Sequence, residues 1–118
     1  MATATKMNLD DLLRIDGVVT AFEFTPDGKL VAHRSRKAVP AEQSAMTAQF
    51  CATVTQLFGT LAGAYTKLSG DEWTPAHGWA YSGGKYSACI GGTRGVYVET
   101  AKADYNRLFE ALIGPRPA

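Results

Sequence analysis

The hydrophobic positions of this chain recur first with a helical spacing and then with the spacing of β-strands. Asn8 is a suitable N-cap, and the leucines that follow it predict a short helix that ends before residue 16. Residues 18–24 alternate with a period of two, and residues 29–34 return after a turn at 25–28, so the segment predicts a β-hairpin. The alternation places one set of side chains on a common face of the first strand: Val18, Thr20, Phe22 and Phe24.

The longest periodic segment covers residues 40–68 and predicts one long helix. Pro40 suits the first turn of a helix, and no other proline interrupts the segment. One face carries apolar side chains at steps of three and four residues: Met46, Phe50, Val54, Leu57, Leu61, Tyr65 and Leu68. A neighbouring stripe carries Thr47, Cys51, Thr55, Phe58 and Ala62. The apolar surface of this helix is therefore wider than a single contact needs.

Beyond the long helix, the pattern predicts three short strands and a closing helix. The strands occupy residues 78–81, 85–90 and 96–100, with glycine-rich turns between them, and the helix occupies 102–113. The element order is therefore α-β-β-α-β-β-β-α. Strands joined by hairpins form an antiparallel sheet whose faces the helices must cover, so we expect an α+β fold with a five-stranded antiparallel sheet flanked by helices.

Length, charge and cysteine usage limit the class of protein. The chain has 118 residues, which fits one domain, expected over residues 8–114 with tails at 1–7 and 115–118. Twelve basic and eleven acidic side chains leave a net charge of +1, so we expect no nucleic-acid partner. No apolar run approaches the roughly 20 residues of a membrane-spanning helix, so no membrane partner is expected either. Two isolated cysteines in a chain that can build its own core favour the cytoplasm.

Two segments resemble a known superfamily. The segment LLRIDGVVTAFEFTPDGKLVAH at residues 12–33 is similar to the opening of roadblock/LC7 domains, which belong to the profilin-like architecture. The glycine-rich segment YSGGKYSACIGGTRGVYVET at residues 81–100 and the closing helix match that superfamily in order and length. The resemblance covers residues 8–113, and within the superfamily it is nearest to a bacterial branch of single-domain proteins.

This resemblance implies a function that needs no catalysis. Roadblock proteins form homodimers or heterodimers, and they regulate small Ras-like GTPases or act as scaffold subunits without hydrolysing nucleotide themselves. The resemblance therefore implies a cytoplasmic adaptor or regulator that forms a homodimer and docks a partner protein, either a small GTPase or a metabolic complex. No catalytic residue, metal or cofactor is expected.

Small residues on the long helix are the candidate dimer interface. Gly59 and Gly63 lie four residues apart and, with their neighbours, leave a shallow groove that another backbone can approach. The candidate set is Ala52, Thr55, Gly59, Ala62 and Gly63. Two interpretations are open, because the same groove can pack against the chain's own sheet. In the roadblock superfamily the long helices and one sheet edge meet across the dimer, which favours the interface.

The aromatic residues of the second half have two interpretations as well, a core or a surface for a partner or ligand. The candidates for such a surface are Trp73, Trp79, Tyr81, Tyr86 and, at the tip of a glycine-rich turn, Arg94. The surface would suit a profilin-like small-molecule sensor with a pocket lined by Trp79, Tyr81 and Tyr86. This sensor is the first alternative to the adaptor.

Cysteine and histidine provide the remaining candidate chemistry. Cys51 and Cys89 are candidate thiols for a second alternative, a thiol-dependent accessory protein of bacterial sulfur metabolism, although neither has a positive neighbour that would activate it. His33 and His77 lack the further ligands that a metal needs. The basic cluster formed by His33, Arg34, Arg36 and Lys37 is either an anion-binding patch or a solvated strand end.

Overall fold

The computed structural model of the protein describes residues 7–114. It contains three α-helices, five strands and one 3-10 turn: α1 Leu9–Leu13, β1 Val18–Phe24, β2 Leu30–Ser35, α2 Ala41–Ser69, β3 Gly78–Ser82, β4 Tyr86–Gly91, β5 Arg94–Glu99, the 3-10 turn Thr100–Lys102, and α3 Tyr105–Ile113. All strand pairs are antiparallel and form one sheet in the order β2-β1-β5-β4-β3. The predicted α+β class and element order are confirmed.

Helices cover both faces of the sheet, and each face has its own core. Helices α1 and α3 lie on one face, where the buried cluster contains Leu12, Val18, Ala21, Cys89, Val96, Val98, Leu108, Ala111 and Leu112. Helix α2 lies on the other face, where the buried cluster contains Phe22, Phe24, Ala48, Cys51, Ala52 and Ile90. The opposite faces of the strands therefore receive different helices, as the alternation of their side chains requires.

The face predicted for the first strand is wrong at its first residue. Val18 packs in the cluster beneath α1 and α3, whereas Phe22 and Phe24 face α2. The cause is an irregularity between Val18 and Thr20, where the register of β1 against β5 shifts. Because a shift of one residue moves side chains to the other face, the simple alternation fails at this point.

The closing helix begins later than predicted. Its N-cap is Asp104, whose carboxylate accepts a hydrogen bond from the backbone N–H of Arg107 at 3.2 Å. The preceding residues 100–102 form the 3-10 turn instead. A side-chain oxygen at the N-cap satisfies one of the free amides of the first turn, which explains why the helix starts here.

One glycine allows the sheet to accept bulky side chains beneath α2. A Cβ atom on Gly95 would lie 2.5 Å from both Phe22 Cζ and Ile90 Cδ1, so these side chains occupy the space that a side chain at this position would need. The sheet itself thus supplies most of the volume on the α2 side of the core.

Met7, the last residue of the predicted N-terminal tail, packs against the domain. The backbone N–H of Met7 donates to Ala111 O at 2.9 Å, and its side chain packs against the cluster beneath α1 and α3. The other residues of the two predicted tails, 1–6 and 115–118, lie outside the described residues.

Candidate functional site

Helix α2 presents its small side chains to the sheet. Its buried residues are Ser44, Ala48, Cys51, Ala52 and Ala62. Small side chains let the helix approach the large residues of the sheet closely, and the packing needs no bulk from the helix. The helix ends at Gly70, whose backbone is left-handed at φ 80°, as is common at helix C-termini.

The large apolar stripe of α2 faces away from the sheet. Phe50 is 65% exposed, Leu57 63% and Leu68 85%. Met46, Leu61 and Tyr65 belong to the same stripe and are also exposed. We call the six residues Met46, Phe50, Leu57, Leu61, Tyr65 and Leu68 the outer stripe. A monomer seldom leaves a continuous apolar surface of this length uncovered.

The predicted small-residue groove does not form a single surface. Ala52 and Ala62 are buried against the chain itself, and Thr55 Oγ1 accepts a hydrogen bond from Trp79 Nε1 at 2.9 Å. Only Gly59 and Gly63 remain open, since no atom of the described chain lies within 4 Å of a Cβ added at either position. For Ala52 and Thr55, the alternative of packing against the chain's own sheet applies, whereas Ala62 is buried beside the groove that Trp73 and Trp79 line.

Two predicted aromatic residues tie the C-terminal half of α2 to the edge of the sheet. The Trp79 ring lies 5.9 Å from the Phe58 ring, and the Trp73 ring lies 4.9 Å from that of Tyr65. Between them is an open groove of about 820 Å³, which also contacts α3 through Phe109. The aromatic contacts make the outer stripe continuous with the loop before β3.

A second cleft, of about 380 Å³, contains two other predicted residues, Tyr81 and Tyr86. Tyr86 Oη accepts a hydrogen bond from Lys37 Nζ at 2.8 Å, and this contact holds the pKa of Tyr86 below its ordinary value. Lys37 was expected only as a member of the basic cluster. Its partner in the sheet is 49 residues away in sequence, so no local pattern could identify the pair.

The other members of the basic cluster do not form an anion patch. The Arg34 guanidinium forms an ion pair with Asp10 at 3.4 Å, and that of Arg36 donates to the backbone carbonyl of Leu13. His33 is half-buried within β2. The cluster therefore separates into residues with different partners.

Arg94 is not available to a partner, contrary to the expectation. It is the first residue of β5, and its side chain is 6% exposed. The guanidinium donates hydrogen bonds to the carbonyls of Met7, Ala111 and Leu112, and burial lowers its pKa. The C-terminal end of α3, which carries partial negative charge, lies over the residue that sequence alone placed at a turn.

Neither cysteine has the solvent exposure that the thiol hypothesis requires. Cys51 is 4% exposed on the side of α2 that faces the sheet, and Cys89 is fully buried on the other face of the sheet. Burial raises the pKa of Cys51 to about 12, which suppresses the thiolate that reacts. A relay of sulfur through either residue would need the fold to open.

Within residues 7–114 we find no group of three or more histidine, cysteine, aspartate or glutamate side chains that could hold a metal ion. In the same part of the chain, no helix combines the length and apolar character needed to cross a membrane.

Comparison with known proteins identifies the family. The model of the family described as "Uncharacterized conserved protein (DUF2173)" matches residues 8–113. The chain belongs to this family. No curated protein matches it.

Solved structures establish the fold. The Roadblock/LC7 domain from Streptomyces avermitilis has a TM-score of 0.66 at 13% identity, over 88% of this chain and 84% of that one. The gliding protein MglB from Thermus thermophilus has a TM-score of 0.66 at 16% identity, over 95% of each chain. A structure described as "MglB with tetrameric arrangement" has a TM-score of 0.66 at 15% identity, over 95% of this chain and 94% of that one. The chain therefore has the roadblock/LC7 fold.

Proposed function

We propose that this protein is a non-enzymatic adaptor or regulator that works as a homodimer and docks a further protein. The observation that carries the proposal is the outer stripe of α2, which residues 7–114 leave exposed. The size, the charge and the surroundings of this stripe all favour a protein interface.

The outer stripe supplies part of the area that a stable interface needs. Its six side chains are between 40% and 85% exposed. Together they expose on the order of several hundred Å², which is below the ~800 Å² that each partner buries in an interface of standard size, so further contacts such as those of the β3 edge are needed as well. Aromatic residues and methionine, which are enriched at interfaces, supply three of the six positions.

The small number of charged residues on α2 distinguishes this helix from an ordinary solvent-exposed helix. Only Glu42 and Lys67 are charged in its 29 residues, and both lie near its ends. A surface helix normally carries charged residues on its exposed face. The centre of a protein interface, in contrast, is depleted of charge, so α2 has the composition of a helix that is covered in the assembled protein.

The two edge strands of the sheet also differ in the charge of their side chains. Strand β2, at one edge, carries Arg34, and a charged side chain on an edge discourages pairing with another chain. Strand β3, at the other edge, has the sequence GWAYS and no charged residue. Since Trp79 of β3 contacts Thr55 and Phe58 of α2, the free β3 edge adjoins the outer stripe.

A second copy of this chain is the occupant that fits both features. Twofold symmetry brings like surfaces together, so that α2 meets α2 while β3 meets β3, and both uncovered features are used at once. The tetrameric arrangement described for one MglB structure supports self-association on this fold. Gly59 and Gly63, the open part of the predicted groove, each lie two residues from Leu61, so they face away from the outer stripe and lie outside the contact proposed between the two helices.

For the docked protein, we propose the partner class that the roadblock/LC7 resemblance implies, a small GTPase or a metabolic complex. A dimer built on α2 and β3 leaves the face covered by α1 and α3 free in both subunits, and we propose that the partner binds these two surfaces together. Such a partner would recognise the dimer rather than the single chain.

Light scattering over a dilution series tests the dimer. We expect a mass of twice the monomer for the wild-type protein, and a monomer for Leu57→Asp, because a carboxylate in a desolvated interface costs several kcal/mol and so weakens association at least ~100-fold. Val31→Asp is the matched control, since Val31 is 56% exposed but lies on β2. A wild-type monomer at all concentrations, or equal loss in both variants, would contradict the proposal.

The same pair of variants tests docking. A partner that recognises the dimer should bind the wild-type protein and Val31→Asp equally in a calorimetric titration, and bind Leu57→Asp weakly. A partner that binds the monomeric variant as well as it binds the dimer would show that docking does not depend on self-association.

A further inference from the structure

The cleft that contains Tyr81 and Tyr86 lies on the same face of the sheet as α2 but is separate from the outer stripe. Its floor comes from four adjacent strands, β1, β5, β4 and β3, and its roof comes from Lys37 and Val39 in the connection between β2 and α2. Its volume of about 380 Å³ is within the range of small-molecule sites, which is roughly 300–1,000 Å³. The cleft is large enough for a molecule of one or two rings.

The charge of the cleft is positive. Lys37 is the one charged residue among those that line it. Its ammonium group lies 4.7 Å from the centre of the Tyr86 ring and donates one of its three N–H groups to Tyr86 Oη. Within residues 7–114, no carboxylate forms an ion pair with Lys37. The neighbouring Glu99, which is opposite Tyr86 in the β-ladder, instead pairs with Lys102 at 3.6 Å.

The walls of the cleft are flat and largely apolar. Tyr86 and Tyr97 belong to adjacent central strands, and Tyr81, which is 65% exposed, stands at the β3 side. The hydroxyl group of Tyr97 is fixed by its hydrogen bond with Thr47 of α2. Aromatic side chains in fixed positions favour a planar ligand, and the remaining N–H groups of Lys37 favour an acceptor with a negative charge.

We propose that this cleft is a binding site for a small monocarboxylate built on one or two aromatic rings, with the carboxylate at Lys37 and the ring between Tyr81 and Tyr86. Lys37 is the one lysine that lines the cleft, and its charge matches one carboxylate; Lys85, whose Nζ lies 5.8 Å from the centre of the Tyr86 ring, adds positive potential beside the cleft. This site is distinct from the outer stripe, since it uses none of that stripe's residues, and its one contribution from β3 is the side chain of Tyr81.

Titration of the ¹⁵N-labelled protein with 2-naphthoate and with its uncharged counterpart 2-naphthamide, followed by two-dimensional NMR, tests the proposal. We expect saturable shifts of the backbone amides of Val19, Gln43 and Ala88 with 2-naphthoate, and binding of 2-naphthamide at least ~10-fold weaker, because the attraction between the Lys37 ammonium and a carboxylate is lost. The experiment measures each affinity and locates each site.

Lys37→Gln and Lys29→Gln form the matched pair of variants. Lys29 is also an exposed lysine, but it lies in the β1–β2 turn and pairs with Asp27 at 4.0 Å. Lys37→Gln should reduce the affinity for 2-naphthoate at least ~10-fold and leave that for 2-naphthamide unchanged, while Lys29→Gln should change neither. Unchanged 2-naphthamide binding shows in the same experiment that the cleft of the variant is intact.

Three outcomes would overturn the proposal. One is the absence of saturable shifts up to about 5 mM ligand, because a dissociation constant above that concentration is too weak for a specific small-molecule site. Another is equal affinity of the wild-type protein and Lys37→Gln for 2-naphthoate. The third is a set of shifts centred on Trp73 and the groove beside it, which would place the ligand elsewhere.

Discussion

Arg94 offers the sharpest test of how the sheet holds Met7 and the C-terminal end of α3 in place. Its guanidinium donates to Met7 O, and its Nη2 atom lies 2.7 Å from Leu112 O and 3.3 Å from Ala111 O. Ala111 O has a second donor, the backbone N–H of Met7, at 2.9 Å. Replacing Arg94 with methionine, which fills similar apolar space, would therefore leave chiefly the carbonyls of Met7 and Leu112 without these donors.

The expected loss of stability follows from these contacts. A buried carbonyl that loses its hydrogen bond costs roughly 1–3 kcal/mol, and two carbonyls are affected. Part of this cost is offset, because the wild-type protein desolvates a guanidinium whose Nε atom has no partner among the described residues. We therefore expect Arg94→Met to lower the free energy of unfolding by about 2–4 kcal/mol. Arg94→Lys keeps the charge but lacks the fork of donors, so its loss should be smaller.

Urea unfolding at one fixed protein concentration measures these losses, since self-association would otherwise add to the apparent stability. Arg14→Met is the matched control, because Arg14 is a mostly exposed arginine that pairs with Asp11 at 2.8 Å. Its removal should change the stability by less than about 1 kcal/mol. If Arg94→Met lost no more than Arg14→Met, the buried guanidinium would not anchor α3, and the reasoning would be refuted.

Two further predictions concern a buried thiol and a pair of glycines. The pKa of Cys51 is raised from 9.0 to about 12, so the folded protein retains this proton more strongly than the unfolded chain. The stability that Cys51 contributes should therefore be complete below pH 9 and fall as the pH rises toward 12. Urea unfolding of Cys51→Ala should show a flatter dependence of stability on pH. Thiol labelling at neutral pH should require unfolding, and rapid labelling of native Cys51 would contradict its burial. A Cβ on Gly91 would lie 2.6 Å from Ile113 Cγ2, so Gly91→Ala should destabilise the protein by about 1–3 kcal/mol, whereas Gly59→Ala, in open space on a helix, should stabilise the monomer by up to about 1 kcal/mol. Thermal unfolding of both variants decides this, and a stabilised Gly91→Ala would show that α3 is free to move.

Local patterns predicted the elements well because their causes are local. The cap at Asn8, the turn at residues 25–28 and the left-handed Gly70 at the end of α2 each depend on a few neighbouring residues. The environment of Arg94 could not be predicted in this way, because the three carbonyl groups that accept its hydrogen bonds are distant in sequence. Two of them belong to residues 17 and 18 positions further along the chain, and the third belongs to Met7. Lys37 was grouped with its sequence neighbours, although its partner in the fold is Tyr86.

The orientation of α2 shows a different limit of sequence reasoning. Periodicity identified two stripes on the helix, but a period alone does not say which stripe faces the sheet. The general preference for burying the larger apolar residues would have chosen the wrong one. The sheet already contributes Phe22, Phe24 and Ile90 to this interface, so the space that remains admits only the small side chains of α2.

This division of α2 into a small buried stripe and a large exposed one is itself an argument for association. Side chains that are mostly exposed in the single chain contribute little to its folding, so the hydrophobic residues of the outer stripe are not explained by the stability of the monomer. Contacts of Phe58 with Trp79 and of Tyr65 with Trp73 join the stripe to the region of the uncharged β3 edge. A partner that covered the stripe alone would leave that edge open, whereas a second copy of the chain could cover both, which is why we propose that an interface of this chain lies on α2 and β3 together.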